Sequence, residues 1–356
     1  MSMFKDMLGS DESLFRDSVA LDYDYIPKIV PFRKGEQEHI AACIKPLFSN
    51  RSGRNVVVFG PPGVGKTVAV KHLLKELEEE TEDIIPMYIN CWQKNTSFKI
   101  VMEMCHLLDY RFTHNKKTEE LFRIVKDALN KKSVVFVFDE IDKTEDQDFL
   151  YYLLEEIYRK TIVLITNYKE WHVDLDERIK SRLTAEMKEF RPYNEHETTE
   201  IMRHRLQYAF APGVWDDDAF LIAAKKAYEM NDIRTGLYIL KEAGNAAEDV
   251  ASKKIVRAHV EKAIRKLDEF SIKKKSELKD ESQFMLDIIK ENSGQKIGDL
   301  YRLYLDKGGE ESYKSFQRKI KKLEEGKFIV IQKMTGGTTG TTSIITYQTT
   351  KKLTDF

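Results

Sequence analysis

The sequence predicts an α/β body on a parallel sheet, then an all-helical region, then a small C-terminal domain of three helices and a hairpin. Three observations carry this. Short β-branched runs alternate with amphipathic stretches from Asn55 to about Glu189, the pattern of buried parallel strands joined by helices. From Glu195 to Asp268 the pattern turns wholly helical, as in HETTEIMRHRLQYAF and RAHVEKAIRKLDEF. The chain then ends on FIVIQKMTGGTTGTTSIITY (328–347), two apolar β-branched runs around an uncharged Gly/Thr loop, which reads as a hairpin with a long tip.

The elements follow in order. Residues 1–15 read as a flexible polar tail without an apolar core, so no secretory signal is expected. YDYIPKIVPFRKGEQEHIAACIKPLF (23–48) is an extended Pro-containing approach followed by a helix. The strand runs are NVVVFG (55–60), MYINC (87–91), VVFVFDE (134–140) and TIVLITN (161–167). The expected boundaries are an α/β domain over 16–192, a helical lid over 193–270, a polar linker SIKKKSELKDES over 271–282, and the C-terminal domain over 283–356. The 356 residues allow two or three domains, and 42% apolar content supplies their cores. No apolar stretch approaches the roughly 18 residues that span a bilayer, so no membrane partner is expected. Cys43, Cys91 and Cys105 are too few and too scattered for a disulfide framework or a CxxC zinc site, which fits a reducing cytoplasm. The net charge of −1 neither favours nor excludes an acidic partner; only local clustering could.

One cluster of motifs carries chemistry. GPPGVGKT (Gly60, Pro61, Pro62, Gly63, Val64, Gly65, Lys66, Thr67) follows the strand NVVVF and opens the helix that continues at Val68. Glycines there let several N–H groups face phosphate oxygens, and the helix start adds its dipole. Lys66 reaches the β- and γ-phosphates, and Thr67 offers a hydroxyl to Mg²⁺. The cofactors expected are therefore ATP or ADP and Mg²⁺. VVFVFDEID ends a strand on Asp139, a candidate Mg²⁺ ligand, and Glu140, a candidate base for water attacking the γ-phosphate. Asn167 ends a further strand, where it could bond the same water or phosphate, or serve only as a turn residue.

The C-terminal region reads helix, helix, helix, hairpin. On the third helix Phe316, Ile320 and Leu323 fall at i, i+4 and i+7 and face a core. Lys314, Arg318, Lys319, Lys321 and Lys322 take the opposite face, beside Ser315. Residues 271–356 hold 17 Lys+Arg against 12 Asp+Glu, and residues 312–333 alone hold 7 against 2, so the whole +5 excess lies on this helix and the strand after it. This is the winged-helix pattern, with a helix suited to the major groove. The candidate DNA contacts are Lys314, Ser315, Arg318, Lys319 and Lys322, then Lys333 on the strand, and Thr338, Thr339 and Thr341 at the tip. The competing reading is a solvated basic face on a structural domain.

With strand-end motifs in this order the chain resembles an AAA+ ATPase. NDIRTGLYILKEAGNAAE (231–248) resembles the sensor-2 helix, which implies that Arg234 meets the γ-phosphate from the lid. LDERIKSRL (175–183) resembles the box before the arginine finger, which implies Arg182, or else Arg178, acting on a neighbouring subunit's nucleotide. YIPKIVPFR, YINCWQKNTSF, LDERIKSRL and FRPYNEHETTEIMRHRLQYAFAPGVWDDDAF together resemble the archaeal origin-recognition initiators over roughly 20–350. That resemblance implies Ile26 and Pro27 at the adenine, and Tyr193 and Arg205 bordering the nucleotide. It also implies slow, switch-like ATP hydrolysis, double-stranded origin DNA, the replicative helicase and other initiator subunits as partners, and a nucleoid-associated location. The segment from about Thr96 to Lys117, with Lys94, Lys99, Lys116 and Lys117, is implied as a second DNA contact. NDIR departs from the family's Gly-Asp-Ala-Arg run, and the loop after Asn167 is compact. The alternative function is a clamp-loader-like or signalling P-loop ATPase whose C-terminal domain docks a protein.

Overall fold

The computed structural model describes residues 13–276, 280–325, 328–334 and 342–347. The chain divides at Ile264 and Arg265 into two compact units.

The first unit opens with α1 (Lys34–Ile44), β1 (Val56–Phe59) and α2 (Lys66–Glu80). It continues through β2 (Ile84–Asn90), α3 (Ser97–Leu107), α4 (Thr118–Leu129), β3 (Ser133–Asp139) and α5 (Asp148–Glu156). Then come β4 (Lys160–Thr166), α6 (Glu177–Leu183) and β5 (Glu186–Glu189). The strands form one sheet in the order β2-β3-β4-β1-β5, every neighbouring pair parallel.

Side chains alternate across this sheet because a strand's period is two residues. Val134, Phe136 and Phe138 enter the core beneath α3, α4 and α5, while Val135 and Val137 enter the core beneath α1 and α2. Ile162 and Leu164 against Val163 and Ile165 repeat the division one strand over. Buried on both faces, the inner strands must be apolar throughout, which is why they read so clearly in the sequence. The edge strand β5 did not. Its EMKE residues are only alternately half-buried, and three of the four carry charge instead of β-branched side chains.

The lid comprises α7 (Glu195–Ala209), α8 (Asp217–Glu229), α9 (Ile233–Glu248) and the start of α10 (Arg257–Ser276). A capping box starts α7: Asn194 Oδ1 accepts from the Glu197 N–H, and Glu197 Oε2 accepts from the Asn194 N–H. Two expectations need correction. Residues 271–276 of the expected linker continue α10 as helix. The tail's described end is pinned too: Leu14 is buried, and Phe15 bridges and stacks on Phe210 with ring centroids 4.6 Å apart. The rest of the tail, 1–12, lies outside the described residues.

The second unit contains α11 (Asp280–Glu291), β6 (Gln295–Lys296), α12 (Ile297–Asp306), α13 (Tyr313–Glu325), β7 (Ile329–Met334) and β8 (Thr342–Tyr347). Its strands form an antiparallel sheet in the order β6-β8-β7. Phe316, Ile320 and Leu323 are buried in its core with Leu300, Tyr304 and Ile345. Among the described residues, no helix is long and apolar enough to cross a membrane.

Candidate functional site

Parallel strands deliver their C-terminal ends to one edge of the sheet, where the polar motifs gather. Gly60, Gly63 and Gly65 all have positive φ, at 149°, 80° and 82°. Each also faces a close neighbour, which for Gly63 is the lid. A Cβ on Gly60 would lie 2.3 Å from the Phe190 carbonyl oxygen, and one on Gly65 would lie 2.8 Å from the Tyr193 hydroxyl. Only glycine satisfies both constraints, so the loop is fitted to the chain just beyond β5.

Lys66 is buried at the start of α2. Its Nζ donates to the Gly60 carbonyl at 2.7 Å, the Pro61 carbonyl at 2.8 Å and Asn167 Oδ1 at 2.9 Å. Burial lowers its pKa to about 8; Asp139 opposes the shift and Arg234 adds to it. The ammonium thus spends its three protons on oxygens, as it would on a phosphate. Thr67 Oγ1 donates to Asp139 Oδ2 at 2.7 Å. The pair offers a hydroxyl and a carboxylate side by side, a hard oxygen donor set that fits Mg²⁺. Glu140 follows in the left-handed region with φ 54°, which turns it out of the strand line. Burial, then Asp139 and Asp142, raise its carboxyl above the ordinary range.

The lid reaches the same loop. Asp232 caps α9, accepting from the Arg234 N–H at 2.9 Å and Arg234 Nε at 3.2 Å. Its carboxylate lies over Gly63, where a Cβ would come within 2.2 Å of Oδ1. Arg234 is half-exposed beside it. The structure therefore brings together Gly60–Thr67, Asp139, Glu140, Asn167, Tyr193 and Arg234. Pro61, Pro62 and Val64 lie within that loop, and Val68 lies on α2.

Other expected residues are placed indirectly. Arg205 donates to the Ala20 carbonyl at 3.1 Å and the Tyr25 carbonyl at 3.3 Å, and so props the segment that leads to half-buried Ile26 and buried Pro27. Arg182 is tied to Glu155 and stacks 5.3 Å from the Tyr151 ring, while the more exposed Arg178 pairs with Asp176. Neither bonds to the phosphate loop among the described residues.

Two further residues complete the site without a local signature in the sequence. Arg33 is 0% exposed. It donates to the Val64 carbonyl at 3.2 Å, the Tyr193 hydroxyl at 2.9 Å and the Arg191 carbonyl at 2.5 Å, and pairs with Glu36 at 2.7 Å. Its guanidinium lies 3.9 Å from the Tyr193 ring centroid. The Tyr88 hydroxyl donates to Asp139 Oδ2 at 2.7 Å. Only the pairing of β2 with β3, which sets Asn90 beside Asp139, could have found it.

In the second unit Lys314, Arg318 and Lys321 are exposed on α13. Two more of the expected DNA contacts are half-buried and bonded to Glu311. Ser315 Oγ donates to Glu311 Oε2 at 2.7 Å, and Lys319 Nζ pairs with Glu311 Oε1 at 2.5 Å. Lys322 lies on α13 and Lys333 on β7, but their side chains, like Thr338, Thr339 and Thr341, fall outside the described residues.

Comparison with known proteins agrees with this geometry. Residues 50–170 match an AAA domain family, and residues 199–265 match the Cdc6 AAA+ ATPase-type lid domain. ORC1-type DNA replication protein 2 of Methanothermobacter thermautotrophicus is 28% identical over 338 residues, spanning 90% of this chain and 88% of the relative. ORC1-type DNA replication protein 1 of Sulfurisphaera tokodaii is 33% identical over 267 residues, spanning 71% and 67%. The solved Aeropyrum pernix ORC1 protein in complex with DNA shares the fold, with a TM-score of 0.71 over 95% of this chain and 94% of that one, at 24% identity. The chain, an AAA+ core with its helical lid, belongs to the ORC1-type DNA replication proteins.

Proposed function

We propose that this chain is an ATP-dependent replication initiator. It binds duplex origin DNA through its C-terminal unit and the AAA+ core, and helps recruit the replicative helicase. The observation that carries the nucleotide half is the pair of hydrogen bonds Lys66–Asn167 and Thr67–Asp139 at the end of the phosphate loop, whose Gly63 lies against Asp232 of the lid. Lys66 and Asn167 hold the terminal phosphates, and Arg234 reads them from the lid. Glu140 orients water, with a raised pKa that suits a base. Thr67 and Asp139 would hold Mg²⁺, which neutralises phosphate charge. Arg182 or Arg178 serves a neighbouring initiator subunit. Ile26, Pro27 and Tyr193 border the nucleotide, with Arg205 behind Ile26. Hydrolysis is slow and sets a conformational state.

The second unit supports the DNA half. Three helices and a three-stranded sheet, with exposed Lys314, Arg318 and Lys321 on α13, suit a winged helix laid in a major groove. The relatives' description as DNA replication proteins points the same way. Such a protein works in the cytoplasm on the nucleoid.

Two substitutions test the nucleotide half. Lys66→Ala should abolish ADP and ATP binding, measured by calorimetry. Glu140→Gln should keep binding and lower hydrolysis by about 10² or more. A Glu140→Gln protein that hydrolyses ATP at the normal rate would overturn the assignment.

A further inference from the structure

We propose that His39, Cys43 and Glu186 form a site for a zinc-type divalent cation between α1 and the edge strand β5, away from the nucleotide cluster. His39 and Cys43 stand four residues apart on α1, so they share a helix face. Glu186 opens β5, and its carboxylate reaches both. The His39 Nε2 to Glu186 Oε2 separation is 3.0 Å, the Cys43 Sγ to Glu186 Oε2 separation is 3.9 Å, and all three donor atoms lie within 4.8 Å of one another. Zinc bonds of about 2.0–2.3 Å at tetrahedral angles give an N–O edge of about 3.3 Å and an S–O edge of about 3.6 Å. The two edges to Glu186 therefore lie within about 0.3 Å of a zinc tetrahedron, and the His39–Cys43 edge, within 4.8 Å, closes by up to about 1.2 Å through side-chain rotation to reach an N–S edge of about 3.6 Å, with water at the fourth corner.

Two further features point to a cation. The buried His39 Nε2 makes no hydrogen bond among the described residues, although the carboxylate is only 3.0 Å away. The carboxylate pairs with that nitrogen only when the ring is protonated; a neutral imidazole with Nε2 unprotonated turns its lone pair toward the carboxylate, and that lone pair is what a metal uses. Glu186 is also held for the task. Arg54 Nη1 takes Oε1 at 2.5 Å and bonds the Ala42 carbonyl through Nη2, which leaves Oε2 to the other two donors. A thiol, an imidazole and a carboxylate select zinc over magnesium, because sulfur is too soft for the latter. The site would clasp two segments that grip the phosphate loop. α1 begins directly after Arg33, and β5 runs into Phe190 and Tyr193.

The test uses the full chain, stripped with a chelator and dialysed against Zn²⁺ or Co²⁺. One Zn²⁺ per chain should remain by elemental analysis, and Co²⁺ should give a thiolate-to-cobalt charge-transfer band. His39→Gln and Glu186→Gln should each weaken Zn²⁺ binding at least about tenfold while ADP affinity holds. Cys43→Ala should remove the charge-transfer band, and Cys91→Ala should keep it. His39 is about a third exposed, so its variant should fold, as thermal melting would verify. A chain that retains no Zn²⁺, a Co²⁺ form without the thiolate band, or Zn²⁺ binding undiminished in folded His39→Gln would each overturn the proposal. The last result would assign the ion to Thr67 and Asp139 instead.

Discussion

Lys66 holds its proton against burial, and that sets a pH limit on nucleotide affinity. Its pKa is lowered to about 8, and a bound phosphate would restore it by pairing with the charged form. Affinity should therefore be level below pH 8 and fall above it. Between pH 7.5 and 9 the loss should be roughly tenfold, since each pH unit above the free-state pKa costs a proton to be taken up on binding. A calorimetric ADP titration across that range checks this, and a flat profile would contradict it. Tyr88→Phe removes one of two hydroxyls that donate to Asp139 Oδ2, leaving Thr67. It should cost about 1 kcal/mol of stability and slow hydrolysis more than it weakens ADP binding. Most of this cluster was legible in GPPGVGKT and VVFVFDEID, because phosphate chemistry restricts which residues stand there. Tyr88 and Arg33 were not. Their roles arise from cross-strand register and from burial, neither of which has a local signature.

Elements anchor those residues. The Glu197 carboxylate closes the α7 capping box and pairs with Arg191 at 2.5 Å. The Arg191 guanidinium and the Asn194 N–H hold its pKa near 2, against burial, which raises it. A carboxylate depressed in the folded state contributes stability that is complete above about pH 4.5 and is lost as pH falls toward 2. After discounting for solvent screening, Glu197→Gln should cost about 1–2 kcal/mol at pH 7 by urea unfolding, and the gap should narrow below pH 4.5. Phe136 is fully buried in the middle of the inner strand β3, so Phe136→Ala should cost about 3–5 kcal/mol by the same measurement. The inner strands could be read from their unbroken apolar runs. β5 could not, because an edge strand needs apolar residues on one face at most. SIKKKS misled for the opposite reason: lysines suit an exposed helix as well as a linker.

At the scale of the whole molecule, a nucleotide-binding unit is joined to one that bears a basic helix. The sequence exposed the charge excess but not its pairing, since Glu311 bonds Ser315 and Lys319. Lys314 and Arg318, both exposed, are thus the pair to remove. Duplex-DNA affinity of the full chain across roughly 50–200 mM salt, with ADP affinity measured in parallel, tests the account most directly. Affinity should fall steeply with salt, and a Lys314→Ala/Arg318→Ala variant should show a log–log slope smaller by about 2 with ADP affinity unchanged. Duplex binding that is absent at low salt, or indifferent to salt and to both substitutions, would contradict it and leave a nucleotide-binding protein whose C-terminal unit docks a protein.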